Sequence, residues 1–246
     1  MGAEKSKPLG GKNYGSIAHL PGSRVGPGDH KCHEGQKRIV TERVRDRHDL
    51  IIVQEKLDGS NVGVARLEGV LHPLTRAGYL ADTSPYEQHW RFAEWVRANE
   101  SRFLSVLTDG ERLCGEWMAQ AHGTRYALKH EPFVAFDLMT GMVRSTHDEF
   151  LARVTEGRFV SPAVLHRGGP LSIADAMALL GEYGFHGAAD PVEGAVWRVE
   201  RNELVEPGKG GVRRRVVDFL AKFVRPDKVD GTYLPEQSGC DVVWNT

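Results

Sequence analysis

Apolar positions in this chain follow two periods, short alternating runs and a few longer helical stretches. The run Ile51-Ile52-Val53, leading to Gln54-Glu55-Lys56, has the pattern of a buried strand that ends at a polar turn. Residues 38–54 as a whole predict a strand, a charged turn from Arg43 to Asp49, and then this second strand. Val62-Gly-Val-Ala-Arg-Leu67 alternates as a strand does, and Glu68-Gly69 predicts the hairpin turn after it. Further strand patterns lie at 111–118, 133–139, 194–199 and 216–224.

The longest helix is predicted over 85–107. Ser84 would cap it, Pro85 suits its first position and Glu87 would complete a capping box. Trp90, Phe92, Trp95, Phe103, Leu104 and Leu107 supply its apolar faces, and Gly110 ends the element. A shorter helix is predicted after Thr146, with Glu149 as box partner. A third starts near Ser172, with Asp175 in that place, and runs towards Gly181. Residues 1–35, rich in Gly, Pro, Lys and His, predict an irregular N-terminal arm whose His19-Leu-Pro-Gly-Ser-Arg24 segment could reach into an active site. Strand pairs with scattered helices predict an α+β fold built on antiparallel sheets.

With 246 residues, the chain can bury a substantial core as one large domain or two small ones. Its net charge of −1 exerts no global pull on nucleic acid, so any such contact must come from a local patch. One candidate is the stretch from Lys209 through Arg213-Arg-Arg215 to Lys228, seven basic residues against two acids. No apolar stretch approaches the roughly 20 residues that span a bilayer, and the first twenty residues lack an apolar core. The expectation is a soluble, cytoplasmic protein with no membrane partner. Cys32, Cys114 and Cys240 are few, odd in number and widely spaced, which argues against a disulfide framework. Met1-Gly2-Ala-Glu-Lys-Ser6 formally fits a myristoylation pattern, but one short enough to arise by chance.

Candidate chemistry concentrates in Glu55-Lys-Leu-Asp-Gly-Ser-Asn61. A lysine directly after a buried strand suggests an amine nucleophile, which must be largely neutral to attack and so needs its pKa of about 10.4 lowered. Gly59 would let the backbone pass close to a phosphate or sugar. Asp58 and Asn61 would add polar contacts beyond the turn. The plain alternative is a strand followed by an Asp-Gly hairpin turn. Asp29-His-Lys-Cys32-His33 contains possible metal ligands without the paired spacing of a structural zinc site, and is expected to be a polar loop. Pro207-Gly-Lys-Gly-Gly211 is not a P-loop, because no Ser or Thr follows its lysine, and predicts a hairpin turn.

Lys56-Leu-Asp-Gly-Ser-Asn61 resembles the nucleotide-binding motif of the covalent nucleotidyltransferases, which comprise ATP-dependent DNA ligases, RNA ligases and mRNA capping enzymes. Four further stretches resemble the family's later motifs in order: Leu113-Cys-Gly-Glu116, Phe133-Val-Ala-Phe136-Asp137, Val192-Glu193-Gly194-Ala-Val196 and Val217-Asp-Phe-Leu-Ala-Lys222-Phe. The resemblance implies that Glu116 contacts the ribose, Phe136 stacks on the purine, Glu193 works near metal and phosphate, and Lys222 reaches the α-phosphate. It also implies a phosphate contact for Arg76, and a nucleotidyltransferase (ATP-grasp-like) fold with ATP held between two antiparallel sheets flanked by helices. The fifth motif commonly carries two lysines one residue apart. Here Leu220 stands at the first position, and Arg225 or Lys228 is the available substitute.

Asn61, where DNA ligases and capping enzymes usually carry arginine, resembles the phage RNA ligase 2 type. Glu55 resembles an RNA ligase position that accepts a hydrogen bond from the adenine amino group. These matches imply an ATP-dependent RNA ligase using Mg2+ or Mn2+. It would seal RNA 5′-phosphate and 3′-hydroxyl ends, as in RNA repair, through a lysyl-AMP on Lys56 and an RNA-adenylate. A DNA nick ligase, or a degenerate ligase fold that binds nucleotide or RNA without chemistry, is the alternative. The chain ends about twenty residues after the fifth motif. The expectation is therefore a single nucleotidyltransferase domain over 1–246 with no C-terminal OB-fold, either a minimal ligase or one whose missing domain a protein partner replaces.

Overall fold

The computed structural model describes residues 6–204 and 213–245. Two five-stranded sheets carry the fold. The first contains β1 (Ala18–His19), β2 (Leu50–Lys56), β8 (Val164–Gly168), β9 (Gly194–Leu204) and β10 (Arg213–Val224), in the order β1-β10-β9-β2-β8. The second contains β3 (Ser60–Leu67), β4 (Val70–Thr75), β5 (Glu111–Trp117), β6 (Phe133–Thr140) and β7 (Val143–Arg144), in the order β4-β3-β5-β6-β7. All pairings are antiparallel except β1 with β10.

Strand β2 lies inside the first sheet and is buried along Ile51–Glu55, which explains its uninterrupted apolar run. Ile51 and Val53 pack with Trp197, Val199, Ala221 and Phe223 beneath α1 (Glu34–Thr41) and α5 (Ile173–Leu180). The second sheet packs Val62, Val64, Leu113 and Phe133 against α2 (Glu87–Ala98), α3 (Glu100–Val106) and α4 (His147–Glu156), where Phe92, Phe103 and Phe150 are fully buried. Helices thus cover the outer face of each sheet, and the inner faces meet across a cavity.

Glu68 and Gly69 both adopt positive φ, +51° and +78°, which makes the tight hairpin between β3 and β4. Thr146 and Glu149 form the expected reciprocal cap on α4, and the Ser172 hydroxyl accepts from the Asp175 amide at the start of α5. The strands predicted at 194–199 and 216–224 are longer than expected.

Three expectations are corrected. Residues 38–41 belong to helix α1, whose His33 cap accepts from the Gln36 amide while the Gln36 side chain accepts from the His33 amide. A short apolar pair such as Ile39-Val40 fits either period, and here the cap decides. The single helix over 85–107 is two helices broken at Asn99, whose side-chain amide donates to the Trp95 carbonyl at 2.9 Å. Ser84 does not cap α2. Its hydroxyl is engaged by His89 at 2.6 Å, and the helix starts at Glu87 without a side-chain cap. The hairpin expected at 207–211 lies outside the described residues. The arm at 6–33 is irregular apart from β1, and α6 (Pro235–Ser238) follows the last strand.

Candidate active site

The cavity between the sheets has a volume of about 690 Å3. Strand β2 delivers Lys56 to it at the point where its ladder with β9 ends, Lys56 opposite Gly194. Glu193, one residue before β9, therefore meets the lysine, and Nζ donates to its Oε2 at 2.5 Å. Burial alone would lower the Lys56 pKa. Glu193 and Glu116 outweigh it and hold the ammonium well above its ordinary value. Among the protein's own groups around the amine, the carboxylates dominate. Burial pushes the Glu116 carboxyl up to about 7.

The turn after Lys56 is pinned on both sides. Asp58 Oδ2 accepts from the Gly123 amide at 3.1 Å and the Thr124 hydroxyl at 3.0 Å. The Gly59 amide donates to Glu116 Oε1 at 3.1 Å, so in this structure Glu116 holds the loop. A Cβ at Gly59 would lie 2.6 Å from the Trp117 carbonyl oxygen, which only glycine permits. Asn61, opposite Glu116 in the β3–β5 ladder, lines the cavity with its Oδ1 buried and unpaired.

Glu55 and Phe136 also line the cavity. Glu55 is 2% exposed, and its Oε2 accepts from the Phe185 amide at 2.9 Å while Oε1 is buried without a partner. Burial raises its carboxyl to about 7, against that hydrogen bond. Phe136 stands edge-on to Tyr14, with ring centroids 5.1 Å apart. Beneath it, Asp137 binds Arg198 and accepts from Tyr14 at 2.5 Å. Arg76 sits on an exposed turn at the rim.

Lys222 enters from β10, its Nζ 3.8 Å from Asp29. Burial and the Lys56 charge lower its pKa. Asp29 is in turn 3.1 Å from His19, so the 19–24 segment of the arm does border the site: His19, Arg24, Asp29, Glu193, Lys222 and Asp230 line an adjoining recess. Leu220 faces the cavity, whereas neither Arg225 nor Lys228 lines it. Arg225 donates to the Gly181 carbonyl, and Lys228 is buried behind Asp58.

Arg213–Arg215 lie seven to nine residues before Lys222 on the same strand, roughly 23–30 Å away at strand rise. They do not surround the site, and Arg214 faces Glu149 at 3.6 Å. Lys209 lies outside the described residues. The 29–33 stretch caps α1 with His33 and sends Asp29 to Lys222. Among the described residues no three His, Cys, Asp or Glu side chains converge as metal ligands, and no helix is long and apolar enough to cross a membrane.

Several cavity residues carried no signal in the sequence: Tyr14 from the arm, His89 and His122, and Asp230, Leu234 and Gln237 from the C-terminal segment. Each reaches the site only through long-range packing.

Two facing sheets flanked by helices, with a lysine at the end of a buried strand and the cavity between them, form the nucleotidyltransferase fold of polynucleotide ligases. The sequence matches the RNA ligase family profile over residues 49–224, and the chain belongs to that family. Solved structures with this fold include three of an RNA ligase from Naegleria gruberi. A lysine-to-methionine mutant with AMP and Mn has a TM-score of 0.52 and 14% identity, covering 91% of this chain and 60% of that one. A lysine-to-alanine mutant with ATP and Mn has a TM-score of 0.52 and 15% identity, covering 84% and 59%. The structure with PPi has a TM-score of 0.51 and 15% identity, covering 97% and 63%. The chain thus spans about three-fifths of the length of those ligases. No curated protein matches the sequence.

Proposed function

We propose that this chain is the nucleotidyltransferase domain of an ATP-dependent RNA ligase that joins 5′-phosphate and 3′-hydroxyl RNA ends. The observation that carries the reading is the convergence of Lys56, Glu193, Glu116, Glu55, Phe136 and Lys222 on one cavity. Nucleotide and Mn in structures of the Naegleria ligase, with the same fold, add support.

Adenine would stack on Phe136 and give its amino hydrogen to the unpaired Glu55 Oε1. Asn61 Oδ1, also unpaired, and Glu116 suit the hydroxyls of a ribose, and Lys222 suits the α-phosphate. Before attack Lys56 must lose a proton, and Glu193 Oε2 is the acceptor within hydrogen-bond reach. The nitrogen then bonds to the α-phosphorus as the bond to pyrophosphate breaks. In the next two steps the adenylate passes to the RNA 5′-phosphate, and the 3′-hydroxyl displaces AMP. Positioning and charge neutralisation carry displacement at phosphorus. Glu193 fits magnesium or manganese, because such ions take few protein carboxylates and rely on phosphate oxygens, and the ion would supply charge neutralisation.

The test is incubation with α-labelled ATP and magnesium followed by denaturing electrophoresis. Label is expected on the wild type and absent from Lys56→Ala, and an unlabelled wild type overturns the reading. Joining of nicked, splinted and single-stranded RNA and DNA then separates an RNA ligase from a DNA nick ligase.

A further inference from the structure

The β2–β9 ladder that positions Lys56 against Glu193 stops at Lys56 and Gly194, so it does not tie the two segments to each other beyond that point. On one side follow Leu57 and Asp58, and on the other Glu193, Val192 and Pro191, where the Arg225 amide donates to the Glu193 carbonyl and the Val192 amide to the Glu182 carbonyl, both at 2.9 Å. Lys228, from the segment after β10, closes this gap. Its ammonium is buried and donates to the Gly123 carbonyl at 2.8 Å, the Pro191 carbonyl at 2.9 Å and the Thr124 hydroxyl. That hydroxyl donates onward to Asp58 Oδ2 at 3.0 Å, and the same oxygen stands 3.7 Å from the ammonium. All three ammonium protons are used, so Lys228 has none left for a ligand.

The packing around it is equally tight. A Cβ at Gly123 would lie 2.6 Å from the Val229 carbonyl oxygen, 2.9 Å from Asp58 Oδ2 and 3.3 Å from Lys228 Cε. One ammonium therefore touches the chain two residues after Lys56, through Asp58, and two residues before Glu193, through Pro191.

We infer that Lys228 is a positioning residue for lysine adenylylation, fixing Lys56 relative to Glu193 and the α-phosphate from behind the cavity wall. The inference rests on the proposed function. It accounts for Lys228 without giving it the place of a phosphate-contacting lysine. It also assigns the C-terminal segment a task, the alignment of the nucleophile loop. Displacement by about 1 Å at such a distance from the chemistry costs on the order of 10²-fold in rate. Lys228 itself bonds neither Glu55 nor Phe136, the residues proposed to hold adenine.

The experiment is single-turnover labelling of wild type, Lys228→Met and Thr124→Val at a series of ATP concentrations. Thr124→Val keeps the volume and removes only the bridging hydroxyl. The maximal adenylylation rate is expected to fall tenfold or more in Lys228→Met and three- to tenfold in Thr124→Val. The ATP concentration giving half the maximal rate should stay within about threefold of wild type. Should Lys228→Met lose its cooperative thermal transition, Thr124→Val decides. A wild type that labels, together with variants at wild-type rate or altered only in ATP affinity, overturns the role of Lys228 alone. A wild type that does not label overturns the proposed function and this role with it.

Discussion

Lys56 Nζ and Glu193 Oε2 lie 2.5 Å apart across the cavity floor, 137 residues apart in the chain. The nucleophile of the proposed reaction is thus held as a buried ammonium, its pKa raised by Glu193 and Glu116 against the opposing effect of burial. The pair stores the lysine in an unreactive form whose release depends on moving one proton over a short distance.

Labelling by α-labelled ATP is therefore expected to accelerate as pH rises from 7 towards 10, because only the neutral amine attacks and its folded pKa lies above the ordinary lysine value. Single-turnover rates across that range check this. A flat or falling profile would show that loss of the Lys56 proton does not limit the step.

Glu55 should make nucleotide choice pH-dependent. Its carboxyl, raised to about 7 by burial, is a hydrogen-bond donor when protonated and an acceptor when ionised. The adenine amino group needs the acceptor, so the KM for ATP is expected to rise as pH falls below 7, by up to about tenfold per unit. Inosine triphosphate, which presents a carbonyl there, is expected to shift the opposite way. Parallel profiles for the two nucleotides would remove Glu55 from base recognition.

Gly59→Ala is expected to reduce labelling by about 10²-fold, since its Cβ would press on the Trp117 backbone carbonyl at 2.6 Å and displace the turn after Lys56. The Trp117 carbonyl belongs to β5 and cannot rotate away as a side chain would. Labelling at the wild-type rate, with circular dichroism unchanged, would show that the turn tolerates the shift.

Asp137 and Arg198 join the two sheets under Phe136, with side chains only 1% and 2% exposed. Asp137→Ala is expected to destabilise the fold by about 3–5 kcal/mol, because it leaves the guanidinium buried with its charge uncompensated. Combining it with Arg198→Met should restore part of that loss. Urea unfolding of the two single variants and the double checks both statements, and additive losses would exclude the coupling.

Lys56 could be read from local pattern, because it stands at the end of a strand that the pattern reveals, whereas Glu116, Phe136, Glu193 and Lys222 were singled out by the family resemblance. The apolar run before Lys56, the alternation after Asn61 and the hairpin at Glu68-Gly69 each express a short-range preference. The five motifs follow one another along the chain, so their order was legible as well. Helices were less legible: Asn99 breaks the 85–107 element, Ser84 leaves α2 uncapped, and His33 caps a helix read as a strand.

By itself, the sequence determined the antiparallel α+β class and the family, and it singled out Lys56, Glu55, Glu116, Phe136, Glu193 and Lys222, which the fold gathers around one cavity. Only the tertiary structure decided their states and neighbours: the ammonium of Lys56 against Glu193, Asp29 beside Lys222, Lys228 behind Asp58, and the arginine run at the far end of β10. Strand and turn preferences act over a few residues and leave a periodic trace. Charge state and ion pairing instead depend on burial and on which groups meet across the fold, and neither has a signature along the chain.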